Sequence, residues 1–200
     1  QIDPKGAIAS RNPEELLEVF KLLTWAKAAL MDSELTARAE HERTLQRIAP
    51  SLRTLRHANG FLARFQGGDQ GVEGILDTAL AACGIKSRQA DGLAMGYARL
   101  SAGRTSVIID AGPPAAKQAS YNAHASTLAF ELTSGRRQLV VSCGSGSHLK
   151  PDWHRAGRAT PSHSTLCLGG YPSARLGRAT KIAGISRELL VEAPRTVHVE

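Results

Sequence analysis

The chain has 200 residues and a mass of 21.3 kDa, room for one ordinary domain or two small ones. Apolar residues make up 42% of it, too many for a chain disordered throughout, and with aromatics at only 4% the core must be filled by Leu, Ile, Val and Ala. Lys and Arg outnumber Asp and Glu by 25 to 18, a net charge of +7 that is either a solubilising excess or a match for a polyanion such as nucleic acid, acidic polysaccharide or a phosphorylated surface.

No apolar run is long enough for a transmembrane helix, so membrane insertion is not expected. The start, Gln1-Ile2-Asp3-Pro4, has neither Met nor an apolar signal-peptide segment and reads as a piece of a longer chain. Cys83, Cys143 and Cys167 are odd in number and lack CxxC spacing, which argues against a disulfide framework and a cysteine-type zinc site.

The pattern is helical up to about residue 57. Asn12-Pro13-Glu14-Glu15 opens the first helix, with an N-cap Asn, Pro at the first helical position and acids at the positive end of the dipole. Leu16, Phe20, Leu23 and Leu30 recur on one face. After a break at Met31-Asp32-Ser33, a second helix is predicted from Glu34 to about Ala49, with a new turn or short helix from Pro50 to Leu55. Such a pair is marginal alone and is expected to pack on more helices or on the following segment.

From residue 58 onward the pattern changes to short strands with turn punctuation. Strands are predicted at Phe61–Phe65, Met95–Leu100, Thr105–Asp110, Thr127–Leu132, Gln138–Val141, Ser164–Leu168 and Arg195–Val199, and a short helix at Gly71–Ala82. Ser101-Ala102-Gly103-Arg104 and Thr133-Ser134-Gly135-Arg136 read as hairpin turns. Successive short strands predict an antiparallel sandwich over 58–200 behind a helical segment over 1–57. The last predicted strand runs to the chain's end, which predicts a truncated sheet. His124 and His163 each stand just before a predicted strand, where a sheet rim can present either an ordinary polar side chain or a ligand or catalyst.

Three ordered blocks take the reading further. They are His124-Ala125-Ser126-Thr127-Leu128-Ala129-Phe130-Glu131-Leu132, Gly135-Arg136-Arg137-Gln138-Leu139-Val140-Val141-Ser142-Cys143-Gly144, and Arg158-Ala159-Thr160-Pro161-Ser162-His163-Ser164-Thr165-Leu166 continuing to Gly170. They resemble H-A-D-x-L-S-F-E-L, G-R-x-L-x-V-D-x-G and R-x-T-x-x-H-N-T-V-x-V-D-G of the heparinase II/III-like proteins, a polysaccharide-lyase superfamily. Asp3-Pro4-Lys5-Gly6 through Ser10-Arg11-Asn12-Pro13 is similar to that family's loop before a toroid helix. The resemblance implies an α+β multidomain fragment: the C-terminal helices of an (α/α) toroid followed by an antiparallel β-sandwich, completed by upstream toroid helices. It also implies an acidic, uronate-containing polysaccharide in the cleft, cleaved by β-elimination, and a cell-envelope or periplasmic setting. That chemistry needs a positioned base and groups that neutralise the uronate carboxylate.

Carried over by position, the resemblance places His124 and His163 where relatives hold zinc together with an Asp, but here the Asp position is Ser142. A neutral Ser is a poor zinc ligand, so no metal is expected, His124 and His163 being the residues that would hold one. Cys143 is adjacent, but strand alternation turns it to the opposite face; Cys167 shares the face of His163 but lies about 13 Å further along. Asn122 stands where relatives have a catalytic His, and Glu15 or its neighbour where they have a Tyr base. His124, Asn122 and Glu15 are thus the candidate catalytic residues. Arg158, His163, Arg155 and Trp153 are the candidate substrate-binding residues, since Arg binds carboxylate or sulfate in bidentate fashion and Trp, like Tyr171, can stack on a sugar. The altered base, His and Asp positions keep open a non-catalytic alternative, an acidic-glycan-binding or envelope-assembly protein on a lyase scaffold. Nucleic acid is not the expected partner, because the arginines are spread over both segments and no aromatic-rich RNA-binding motif occurs.

Overall fold

The first helix, α1 (Pro13–Asp32), begins where its capping chemistry directs. The Asn12 side-chain oxygen accepts from the backbone N–H of Glu14 at 2.9 Å and of Glu15 at 3.2 Å, and Leu16, Leu17, Phe20 and Thr24 form its buried face. This computed structural model describes residues 2–86, 88–146, 148–169, 171–182 and 184–192. None of its helices is long and apolar enough to cross a membrane, among the described residues.

The second helix, α2 (Ala39–Leu55), differs from expectation at both ends. It cannot start at Glu34, whose φ of 58° is left-handed; the N–H groups of Glu34 and Leu35 instead close the end of α1 on Met31 and Leu30. It also continues through Pro50, because the buried stripe Leu45, Ile48, Ala49, Leu52 and Leu55 runs straight across that position and offsets the one lost hydrogen bond. Lys27 meets Glu42, and the His41 ring meets the Leu23 carbonyl, near the joint of the two helices. The short helix α3 (Ile75–Ala82) lies within the predicted 71–82 segment.

A four-stranded antiparallel meander follows: β1 (Tyr97–Ala102), β2 (Thr105–Asp110), β3 (Phe130–Ser134) and β4 (Arg137–Val140), in the order β1-β2-β3-β4. Its outer hairpins turn on Gly103-Arg104 and Gly135-Arg136, both glycines having positive φ. β1 and β3 start later than predicted because Met95 (φ 52°) and Leu128 (φ 62°) are left-handed and cannot extend a ladder.

Two predicted strands do not form. Along Phe61–Phe65 the N–H groups of Leu62, Ala63 and Arg64 go to three unrelated acceptors, Gln70 O, Leu55 O and the Glu131 carboxylate. The segment Ser164–Leu168 lies beside the start of β3 but joins it largely through hydroxyls, Ser164 to Phe130 O and Thr165 to Thr127 O. In their place are elements not predicted: α4 (Pro151–Gly157) and a two-stranded ribbon of β5 (Ala174–Ile182) and β6 (Ile185–Glu192). The predicted strand Arg195–Val199 lies outside the described residues.

The whole is α+β, helices followed by antiparallel sheets. One core joins them: Leu16 and Phe20 of α1, Leu45, Ile48 and Leu52 of α2, Leu76 and Leu80 of α3, Tyr97 of β1 and Ile108 of β2 belong to a single buried cluster. Arg11 ties the same layers with polar bonds, donating to Met95 O at 2.8 Å and to the buried Asp110 carboxylate, which also accepts from Gln66 at 2.8 Å and Ser126 at 3.0 Å.

Candidate functional site

Three places gather the predicted residues. The first is an open cleft of about 630 Å³ between the start of α1 and the loops at 67–69 and 122. Glu15 and Asn122 both line it, so the structure brings these two together. Glu15 accepts from Ser10 Oγ at 2.5 Å and from the Tyr121 hydroxyl at 2.9 Å, while Asn122 Nδ2 donates to Gly67 O at 3.2 Å. Partial burial and the Glu15 carboxylate both hold the Tyr121 phenol above its ordinary pKa, and the Arg187 guanidinium lies 4.6 Å from its ring centroid. Glu14, Glu18 and Asp69 also line the cleft, and among the described residues no basic one does.

The second place is built on two buried histidines. His124 is 1% exposed and its ring lies 5.1 Å from that of His163. His163 Nδ1 pairs with Ser142 Oγ at 3.1 Å, but its Nε2 and both ring nitrogens of His124 are buried without a hydrogen-bond partner. Burial, followed by the nearby His163 and Arg158, drives the His124 pKa well below its ordinary value; burial lowers His163 to about 4. Both rings are therefore neutral imidazoles at pH 7. Cys143, an exposed residue, lies beside them: one donor atom from each of His124, Cys143 and His163 lies within 4.8 Å of the others. The alternation argument that turned Cys143 away does not apply, since β4 ends at Val140 and the chain then turns through Gly144 and Gly146, both at positive φ. Burial also raises the Cys143 thiol pKa. A zinc-type ion would find two neutral imidazoles and a thiol here, so the donor set fits such an ion although position 142 offers no carboxylate.

Two buried groups hold this cluster. Glu131 accepts the N–H of Ser142 at 2.9 Å and of Arg64 at 3.2 Å, and its other oxygen meets the buried His57 ring at 2.6 Å. Arg158 is 3% exposed and donates to Ala123 O at 2.9 Å and Ser120 O at 3.0 Å, while its own carbonyl accepts from Ala125 N–H. It thereby clamps the loop that carries His124.

The third place is a hollow of about 450 Å³ beside α4, lined by Arg155, Arg158 and Arg175 among others. Arg155 also pairs with Glu188 at 3.1 Å. Trp153 stands on α4 with 67% of its surface exposed, and Tyr171 is likewise exposed. The candidate residues thus divide into Glu15 with Asn122, His124 with His163, and Arg155 with Arg158. Tyr121, Cys143 and Glu131 enter these sites without having been singled out for them. The Gly-Ser-Gly run after Cys143 was the available signal that the strand had already ended.

Residues 84–198 match the family model of the Heparinase II/III-like C-terminal domain. FtsZ-localized protein C of Caulobacter vibrioides is 32% identical over 146 residues, covering 70% of this chain and 24% of that protein. Among solved structures, heparinase III superposes with a TM-score of 0.70 at 15% identity, covering 92% of this chain and 36% of that one. Heparan sulfate lyase HepC from Pedobacter heparinus gives 0.63 at 16% identity, covering 90% and 33%. The chain therefore spans about a quarter to a third of the length of these proteins. With more than half of its residues inside the family model, and with its helices and sheets laid out as in the heparinases, this chain belongs to the heparinase II/III-like family.

Proposed function

We propose that the chain forms the sandwich side of a polysaccharide lyase-like protein, and that the cleft beside α1 holds a uronate-containing polysaccharide for β-elimination. The observation that carries this reading is the convergence of Glu15 and Asn122 at that cleft, with the Tyr121 hydroxyl hydrogen-bonded to Glu15. β-Elimination needs a base for the proton next to the uronate carboxylate and an acid for the departing 4-oxygen. Glu15 is a carboxylate acceptor, Tyr121 is an O–H donor hydrogen-bonded to it, and the Asn122 amide can donate to a substrate carboxylate. The fold of the heparinases supports the same reading. The test is to incubate the full-length protein with uronate polymers and follow the ultraviolet absorbance of the new C4–C5 double bond. Wild type generates it; Glu15→Gln does not.

A second reading rests on a specific observation, the acidic lining of the cleft. Glu14, Glu15, Glu18 and Asp69 line it and, among the described residues, no Lys or Arg does, which disfavours a polyanion there. A non-catalytic glycan-holding or envelope-assembly protein would then bind through the hollow beside α4, where Arg155 and Arg175 are the exposed arginines. The relationship to an FtsZ-localized protein supports this second reading. It predicts salt-sensitive retention of an acidic polysaccharide without turnover.

A further inference from the structure

We infer that Arg187 is a positioning residue of the cleft beside α1: reaching over from β6, its guanidinium lies on the Tyr121 ring, keeps the Tyr121 hydroxyl on Glu15 and stabilises the negative charge that this hydroxyl acquires during β-elimination. The inference rests on the lyase reading of that cleft.

The ribbon is fastened where this contact needs it. In β6 the Leu190 N–H donates to Ser120 Oγ at 3.1 Å, and Ser120 Oγ donates in turn to the Lys117 carbonyl at 2.7 Å. Ala174 and Leu190 of the ribbon are buried in one small apolar cluster with Ala115, Ala123 and Ala125, which come from the segment that carries Tyr121. The strand of Arg187 is thus tied to the residue that precedes Tyr121. Arg187 Cζ lies 4.6 Å from the Tyr121 ring centroid, a cation–π distance. Its neighbour Glu188 is engaged elsewhere, by Arg155 at 3.1 Å. At the far end of the ring the Tyr121 hydroxyl donates to one Glu15 oxygen at 2.9 Å, and Ser10 Oγ donates to the other at 2.5 Å. The series Arg187, Tyr121, Glu15 therefore runs from the ribbon to the cleft wall.

In the proposed reaction Glu15 takes the proton from the carbon next to the uronate carboxylate, and the electron pair of that C–H bond becomes the C4–C5 double bond. The bond from C4 to the departing oxygen breaks, and that oxygen takes the Tyr121 hydroxyl proton. A neutral Glu15 then stands beside a Tyr121 phenolate, and their hydrogen bond returns the proton from Glu15 to Tyr121. Both groups end as they began. A phenol is a reluctant donor near neutral pH, and the Glu15 carboxylate makes Tyr121 more so; the Arg187 guanidinium acts in the opposite direction by favouring the phenolate. Glu15 on α1 and Arg187 on β6 are the charged groups that act on the phenol. Lys117 lies in the turn before it, and His154 and Arg158 are within electrostatic reach of Arg187.

The test uses the full-length protein. Arg187→Gln keeps a planar group that can lie on the ring but removes the charge, and Arg187→Lys keeps the charge. Arg187 is half-buried, so both variants should fold, which circular dichroism verifies; were Arg187→Gln to lose its fold, Arg187→Lys carries the same comparison. Tyr121 is titrated by ultraviolet absorbance, as the signal that Tyr121→Phe removes. It should ionise at higher pH in Arg187→Gln than in wild type, with Arg187→Lys between them. On a uronate polymer that wild type cleaves, Arg187→Gln should lower kcat about 3–30-fold with little change in KM, and Arg187→Lys should recover part of the loss. An unchanged titration or a wild-type kcat in Arg187→Gln overturns the role of Arg187 and leaves the lyase reading intact. A shifted titration with no turnover by wild type on any polymer overturns the lyase reading, and with it the part of Arg187 in catalysis.

Discussion

Arg158 illustrates how a residue's position can be legible while its surroundings are not. The third sequence block marks it, and a guanidinium in such a block reads as a substrate contact. In the fold it is almost wholly buried, and two of its donors serve the carbonyls of Ser120 and Ala123. Replacing it with Ala strands those carbonyls in the interior and should cost about 2–4 kcal/mol in denaturant unfolding. Loss of polysaccharide retention with unchanged stability would instead make it a binding residue. His163 predicts a pH dependence of stability. Its folded pKa, about 4, lies below the unfolded value near 6.5, so on acidification the unfolded chain takes up a proton that the folded ring refuses. Stability should therefore be complete above pH 6.5 and fall down to about pH 4, by about 3 kcal/mol from this ring, with His124 adding in the same direction. Denaturant unfolding at pH 7 and pH 4.5 checks this; equal stability at both contradicts it.

Among the elements, α1 and the β1–β2–β3–β4 meander were readable because their signals are local: an Asn-Pro-Glu-Glu start, alternating β-branched strands and glycine hairpins. The ribbon β5–β6 was not, because Arg175, Arg178, Lys181, Arg187 and Glu188 interrupt any apolar alternation and its strands are specified by pairing with each other. The left-handed residues Glu34, Met95 and Leu128 were equally silent, since no glycine announces them. Glu131 shows what β3 contributes beyond its own ladder. It binds the loop at Ser142, the backbone at Arg64 and the ring of His57 with full burial. Glu131→Gln should destabilise the protein by about 1–3 kcal/mol, because the amide oxygen can still accept the two N–H groups that share one carboxylate oxygen, while the amide nitrogen that replaces the other oxygen no longer offers the His57 ring an acceptor. Wild-type stability in denaturant unfolding of that variant would deny Glu131 this bracing role.

At the scale of the whole molecule, a composition boundary near residue 57 is crossed by one continuous core. Leu52→Ala in α2 should cost about 2–5 kcal/mol and lower the helical and sheet signals in a single transition, whereas separate transitions would contradict a shared core. The net charge of +7 is not spread evenly over the candidate sites: the hollow beside α4 is lined by arginines and the cleft beside α1 by carboxylates. That separation could not be read from charge counts, because it arises when Asp69 and Asn122, far apart in the chain, fold against the first turns of α1. The most direct measurement of the central claim is therefore made at that cleft. Full-length wild type, Glu15→Gln and Tyr121→Phe are assayed for unsaturated uronate on a panel of uronate polymers. Wild-type absorbance should grow on at least one polymer, fall at least about 100-fold in Glu15→Gln and fall less in Tyr121→Phe. No absorbance on any polymer at high protein concentration, or equal rates in Glu15→Gln, would contradict it.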